Sequence, residues 1–133
     1  MKQFIIAVAM LAFSGTAVFA QSENAAKLVP SDATLKAQKT EMLTLTNKLE
    51  NEVKAKKTDQ VEASSYKLLN MMRNHVADTR YMAEAKGGPE GKVIMKRMLM
   101  LEQRVAAYMN IRQDAMKNGN ELVSQARTFA NDY

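Results

Sequence analysis

The chain of 133 residues has no cysteine and no tryptophan, only two prolines, five glycines and one histidine, and aromatic side chains at 6% of positions. Without cysteine no disulfide can form, so stability in an oxidising compartment must come from packing alone. The same absence removes a CxxCH haem attachment and a lipid-anchoring cysteine. A solitary His75 leaves no HExxH and no Glu-x-x-His pair, and no Gly-x-Ser-x-Gly occurs. The carboxylates are scattered along polar faces, so the sequence offers no positioned base, nucleophile or metal, and an enzyme is not expected. No stretch alternates apolar and polar residues as a half-buried strand would, which excludes a sheet and leaves an all-helical chain.

Methionine replaces the missing aromatics. Eleven are present, and Phe129 is the only phenylalanine beyond the first twenty residues. Those first residues, Met1 to Ala20, read as a secretory signal peptide: Lys2 is the only charge, Phe4 to Phe13 is apolar throughout, and Val18-Phe19-Ala20 supplies small residues at the cleavage positions. Ser14, Gly15 and Thr16 cut the apolar run below the roughly 20 residues that a membrane span requires. The expectation is cleavage near Ala20 and a periplasmic or secreted mature chain with no membrane span. Setting Lys2 aside reduces the 19 basic side chains to 18 against 14 acidic ones, a net charge of +4. That is too mild for a nucleic-acid partner.

Residues 21–30 are polar, lack periodicity and end at Pro30, as a mobile leader would, and residues 31–133 form one helical-bundle domain. Ser31 or Asp32 can cap a first helix carrying Leu35, Met42, Leu45, Leu49 and Val53 on one face, with Glu50–Lys54 and Glu52–Lys56 paired on the other. Asp59 with Glu62 suggests a capping box for a second helix, whose inner face holds Val61, Leu68, Leu69, Met72, Val76 and Ala83 with Ser65 and Thr79 as small fillers. Gly87-Gly88-Pro89-Glu90-Gly91 then breaks the chain as an exposed joint.

From Lys92 onward, Ile94, Met98, Leu101, Val105, Tyr108 and Arg112 recur at helical steps, and Ala115, Gly119, Leu122, Ala126, Phe129 and Tyr133 continue them. A second row at Met95, Leu99, Ala106, Met109, Met116, Val123 and Ala130 widens the face enough to need more than one partner helix. The predicted fold is an all-α, antiparallel bundle of three long helices, the third extended or followed by a short fourth. Propensity at Asn118-Gly119-Asn120 favours a stop, whereas the unbroken phase favours continuation. Continuation is the preferred expectation. It would leave Gly119 to Tyr133 overhanging, with Leu122, Val123, Ala126, Phe129 and Tyr133 as the interface of a twofold dimer. In the alternative the same residues fold back as a fourth helix inside one monomer.

The expected function is therefore binding, to a protein partner or a second copy, without catalysis and without a cofactor. Its rival is a periplasmic copper site. Thioethers are soft ligands that select copper(I), Met72 and His75 share a helical face, and Met42 and Met98 are further candidate ligands. Against it, methionine is an adaptable core filler, and most of these residues fall on inner rows. Lys92, Lys96, Arg97 and Arg104 give the third helix a basic surface for an anionic contact. Arg112 lies in the apolar seam itself, where a buried guanidinium would need a carboxylate.

Overall fold

The computed structural model describes residues 27–133, and the expected signal peptide and all but the end of the expected leader lie outside that range. Four helices follow one another: α1 (Asp32–Lys54), α2 (Thr58–Lys86), α3 (Gly88–Arg112) and α4 (Gly119–Asn131). They form an all-α bundle. Consecutive helices pack as neighbours, α4 returns against α1, and α1 and α3 make almost no contact. Among the described residues no helix is long and apolar enough to cross a membrane.

Sequence chemistry sets most of the ends. Ser31 takes an extended backbone and its hydroxyl accepts from the Thr34 amide at 3.1 Å, satisfying one of the free donors of the first turn. At the other end of α1 the Lys57 amide donates to the Glu52 carbonyl at 3.0 Å and the Lys56 amide to the Val53 carbonyl at 3.1 Å. This paired closure is a Schellman motif, and Lys56 fills its left-handed position at φ 57°. The capping box expected from Asp59 and Glu62 does not form: α2 starts at Thr58, and Lys57 before it makes no side-chain cap. Glu52 also departs from its expected surface pair. It is buried and accepts from the Ser64 hydroxyl at 2.5 Å, tying α1 to α2.

The glycine-rich joint is tighter than expected. Only Gly87 lies between α2 and α3, and its φ of 63° with ψ near 180° is a conformation open essentially to glycine alone. Gly91 sits in the first turn of α3, where an added Cβ would lie 2.6 Å from the Ala83 carbonyl oxygen. Gly88, Pro89 and Glu90 are exposed, as expected of the joint, but they belong to the first turn of α3, and only Gly91 is packed.

The expected continuous third helix is not formed. Beyond Arg112 the bonding slips to three-residue spacing, with the amides of Gln113 and Asp114 donating to Asn110 and Ile111 at 3.4 Å. The Asn118 side-chain amide then donates to the Ile111 carbonyl at 2.8 Å and closes the end of α3. Gly119 opens α4 against α1, with Val53 so close that an added Cβ would lie 2.7 Å from its nearer methyl. Chain reversal here buries Leu122, Val123, Ala126, Phe129 and Ala130 beside Met42, Leu45 and Leu49. No overhang remains: of the residues assigned to a dimer interface, Leu122, Val123, Ala126 and Phe129 are core and Tyr133 packs half-buried against it. Fully burying Leu122 and Phe129 contributes roughly 1.5–3 kcal/mol each, and this burial outweighs the continuity of phase that favoured a straight helix.

At 13 residues α4 is about half the length of its neighbours, which have 23, 29 and 25. It therefore roofs only the half of the bundle that contains the α1–α2 turn. Toward the other end the space between α1 and α3 has no fourth helix to fill it.

Candidate functional site

Where α4 ends, the bundle buries its one histidine. His75 on α2 is 1% exposed. The Tyr133 ring stacks on its imidazole at 3.7 Å between centroids, and Phe129 meets it edge-on at 5.9 Å. Neither imidazole nitrogen has a hydrogen-bond partner among the described residues. Burial pulls its pKa down to about 4, and the positive charge of Arg97 pulls in the same direction. The ring is accordingly neutral at ordinary pH, which its helical spacing from Met72 did not disclose.

Around this ring lie groups from all four helices. Asp78, one turn along α2, has its carboxyl pushed above the ordinary range by burial, opposed by the Gln38 amide of α1. Burial raises the Tyr133 phenol, and the charges of Asp78 and Glu41 add to the rise. From α3, Arg97 donates to the Asp132 carbonyl and Arg104 forms an ion pair with the Asp132 carboxylate. Arg97 and Arg104, expected to serve an anionic partner, are thus used inside the fold to pin the end of α4. Lys92 and Lys96 remain exposed.

The four candidate copper ligands, Met42, Met72, His75 and Met98, are all buried. Met42 and Met72 belong to the main core cluster, whereas Met98 is buried outside it. Among the described residues no group of three or more histidine, aspartate or glutamate side chains is placed to hold a metal ion. What distinguishes His75 from a satisfied core histidine is its unused pair of nitrogens.

Arg112 resolves as a bridging residue. Its guanidinium donates to Glu62 at 3.4 Å, lies 5.1 Å from the Tyr66 ring centroid, and is only partly exposed. Beside it the buried Tyr108 hydroxyl donates to the Ser65 carbonyl at 3.0 Å, so the seam between α2 and α3 is held by polar contacts at this level.

The second apolar row keeps its expected inner role at Val123 and Ala130 but loses it on α3. Leu99 is 51% exposed and Met109 40%, with Ala106 exposed between them, while Met95 and Met116 are half-buried. Val93 and Met100 are also exposed, so among the described residues four of the six large exposed apolar side chains lie on α3. A signal for this was present in Glu102, which falls three residues after Leu99 and four before Ala106 and interrupts the row. Glu102 pairs with Arg80 of α2 at 3.1 Å, and the Arg73 guanidinium donates to the Met109 sulfur at 3.4 Å. These contacts edge the strip with charge. No protein-family model matches the chain, and neither a curated protein nor a solved structure matches it.

Proposed function

We propose that this chain is a secreted or periplasmic helical-bundle protein that acts by binding a protein partner or a second copy, without catalysis. The observation that carries the reading is the unburied apolar strip on α3, centred on Leu99, Ala106 and Met109. Large apolar side chains gathered on one helix face and edged by charged groups are the usual composition of an interaction surface. Steps of seven and three residues keep Leu99, Ala106 and Met109 on one helix face, which suits packing against another helix. Support for the address comes from the amino-terminal pattern, a lone Lys2, an apolar Phe4 to Phe13 and small residues before Gln21.

The test is a pair of substitutions in the exposed strip, Leu99→Glu with Met109→Glu. Helicity and thermal stability should be unchanged, because neither side chain is core. Concentration-dependent sedimentation, or photo-crosslinking to an envelope protein from a probe at position 99, should be lost. A wild type that stays monomeric and crosslinks no more from position 99 than from Lys48 on α1 overturns the reading.

One observation favours copper(I) binding as a second reading: His75 is buried with both nitrogens unpartnered, one turn from the thioether of Met72. Stoichiometric copper(I) retention that is lost in both His75→Leu and Met72→Leu would establish it. Retention unaffected by either substitution would remove it.

A further inference from the structure

We infer that Asn118 is a self-modification site: its side chain is deamidated by the neighbouring backbone when α4 undocks, and the conversion releases the latch between α3 and α4. Asn118-Gly119 is the only Asn-Gly step in the sequence. With no side chain on the following residue, the backbone nitrogen of Gly119 has unhindered access to the side-chain carbonyl carbon of Asn118. Attack closes a five-membered succinimide. The new bond joins the Gly119 nitrogen to Cγ, and the Gly119 amide proton leaves with the side-chain nitrogen as ammonia. Water then opens the ring at either carbonyl to give aspartate or isoaspartate, so water is the only co-reactant and nothing is oxidised or reduced. Nothing in this chemistry draws on the α3 strip or its proposed partner.

The docked fold holds the reaction off. Ring closure requires the Gly119 nitrogen to swing to the side of the Asn118 Cβ, whereas at ψ 17° it lies on the side of Asn118's own backbone nitrogen. The side-chain amide is also engaged, donating to the Ile111 carbonyl at 2.8 Å. Gly119 is buried against Val53, so the peptide that would have to turn is packed between α1 and α4. Turning it requires α4 to lift from α1, which parts Arg127 from Glu50 and Asn47. Once formed, the product cannot rebuild the latch. An ionised carboxylate has no proton to donate and sets its oxygens against the Ile111 carbonyl, while isoaspartate adds a methylene to the main chain where Gly119 enters α4. Opening of α4 is reversible but the conversion is not, so the modified fraction accumulates with the time α4 spends undocked.

Residue-resolved mass spectrometry on the chain aged in mildly alkaline buffer, with and without denaturing urea, tests this. In urea Asn118 should convert faster than any other asparagine. In the folded protein the conversion should be at least about tenfold slower, because it proceeds only through the undocked fraction. Arg127→Ala loosens α4 without entering the core. It should speed the folded-state reaction about two- to fivefold and leave the rate in urea unchanged. Asn118→Asp reproduces one product directly. It should melt about 4 °C or more below the wild type, and its α4 amides should exchange faster relative to those of α2. The rate measurements use chains that keep Asn118, so they stand if Asn118→Asp fails to fold. Equal rates in folded and unfolded chains, a folded-state rate indifferent to Arg127→Ala, or an Asn118→Asp protein with wild-type melting and exchange would each overturn the inference.

Discussion

Protonating His75 means placing a cation between Phe129 and Tyr133, next to Arg97 and without a hydrogen-bond partner at either nitrogen. In the unfolded chain the same imidazole titrates near its ordinary 6.5, whereas in the fold it is held at about 4. The unfolded state thus binds the proton more readily, so His75 lowers stability as the pH falls below about 6.5, and the loss is complete below about 4. The gap corresponds to roughly 3 kcal/mol at the acid end, with about 1 kcal/mol already lost near pH 5.5. Urea denaturation of wild type and His75→Leu across this window should show the two curves diverging by those amounts, and parallel curves would refute the account. Gly119 makes a second prediction at this scale, because its role is close approach to Val53 rather than an unusual backbone angle. Gly119→Ala gains about 1 kcal/mol of helix propensity but overpacks against Val53 by about 1–3 kcal/mol, so it should destabilise the wild type. In a Val53→Ala background both methyl clashes are removed and only a 3.3 Å approach to the remaining Cβ is left, so the same substitution should cost less or stabilise. Denaturation midpoints of the four proteins in the cycle decide it, and an unchanged cost would place the constraint elsewhere.

Among the elements, the turn between α1 and α2 holds the clearest local conflict between sequence and conformation. Lys56 occupies the left-handed position of the Schellman closure, a place usually taken by glycine, at a cost of about 1 kcal/mol. Lys56→Gly should therefore raise stability by a few tenths to about 1 kcal/mol once the greater freedom of glycine in the unfolded chain is counted. An equal loss instead would mean that the lysine side chain makes a contact worth more than the strain. That turn was legible only as a gap between Val53 and Val61, because no glycine or proline marks it. The helices themselves were legible: Ser31 as the cap, the inner residues of α1 and α2, and the stop at Gly87 all follow from spacing and caps. The end of α3 was not. Phase carried through Asn118-Gly119-Asn120 because a helix that ends and folds back can reuse the same apolar spacing in reverse direction. Which of the two outcomes holds is decided by Val53, Met42 and Leu49, far away in the chain. For the same reason the site was half-legible: Leu99 and Met109 were read as inner when α4, by turning back, took the place of the partner helix they would have met. His75 was noticed, but its burial depends on Tyr133, 58 residues further along.

On the scale of the whole molecule, α4 is the element that joins the two ends of the bundle's helix order. α1 and α3 make almost no contact with each other, and α4 packs on both. Arg127 ties it to α1 through Glu50 at 2.9 Å and Asn47 at 3.0 Å, while Asp132 ties it to Arg97 and Arg104 of α3. With no disulfide to hold the chain, these packed faces are the source of its stability. A chain ending at Asn118 loses the burial of Leu122 and Phe129, which together contribute roughly 3–6 kcal/mol, and uncovers the apolar faces of Met42 and Leu49 that they meet. Domains of this size hold only about 5–15 kcal/mol in total. The truncated chain should therefore keep much of its helix content yet lose its sharp thermal transition and bind a hydrophobic dye, as expanded states with fluid packing do. Leu122→Asp with Phe129→Asp in the full chain should act in the same direction, since each carboxylate would be buried without a partner. Far-ultraviolet circular dichroism with calorimetry makes the measurement. If both proteins instead melt cooperatively near the wild-type temperature and differ only in oligomeric state, α4 is not core and the tail belongs to an interface after all.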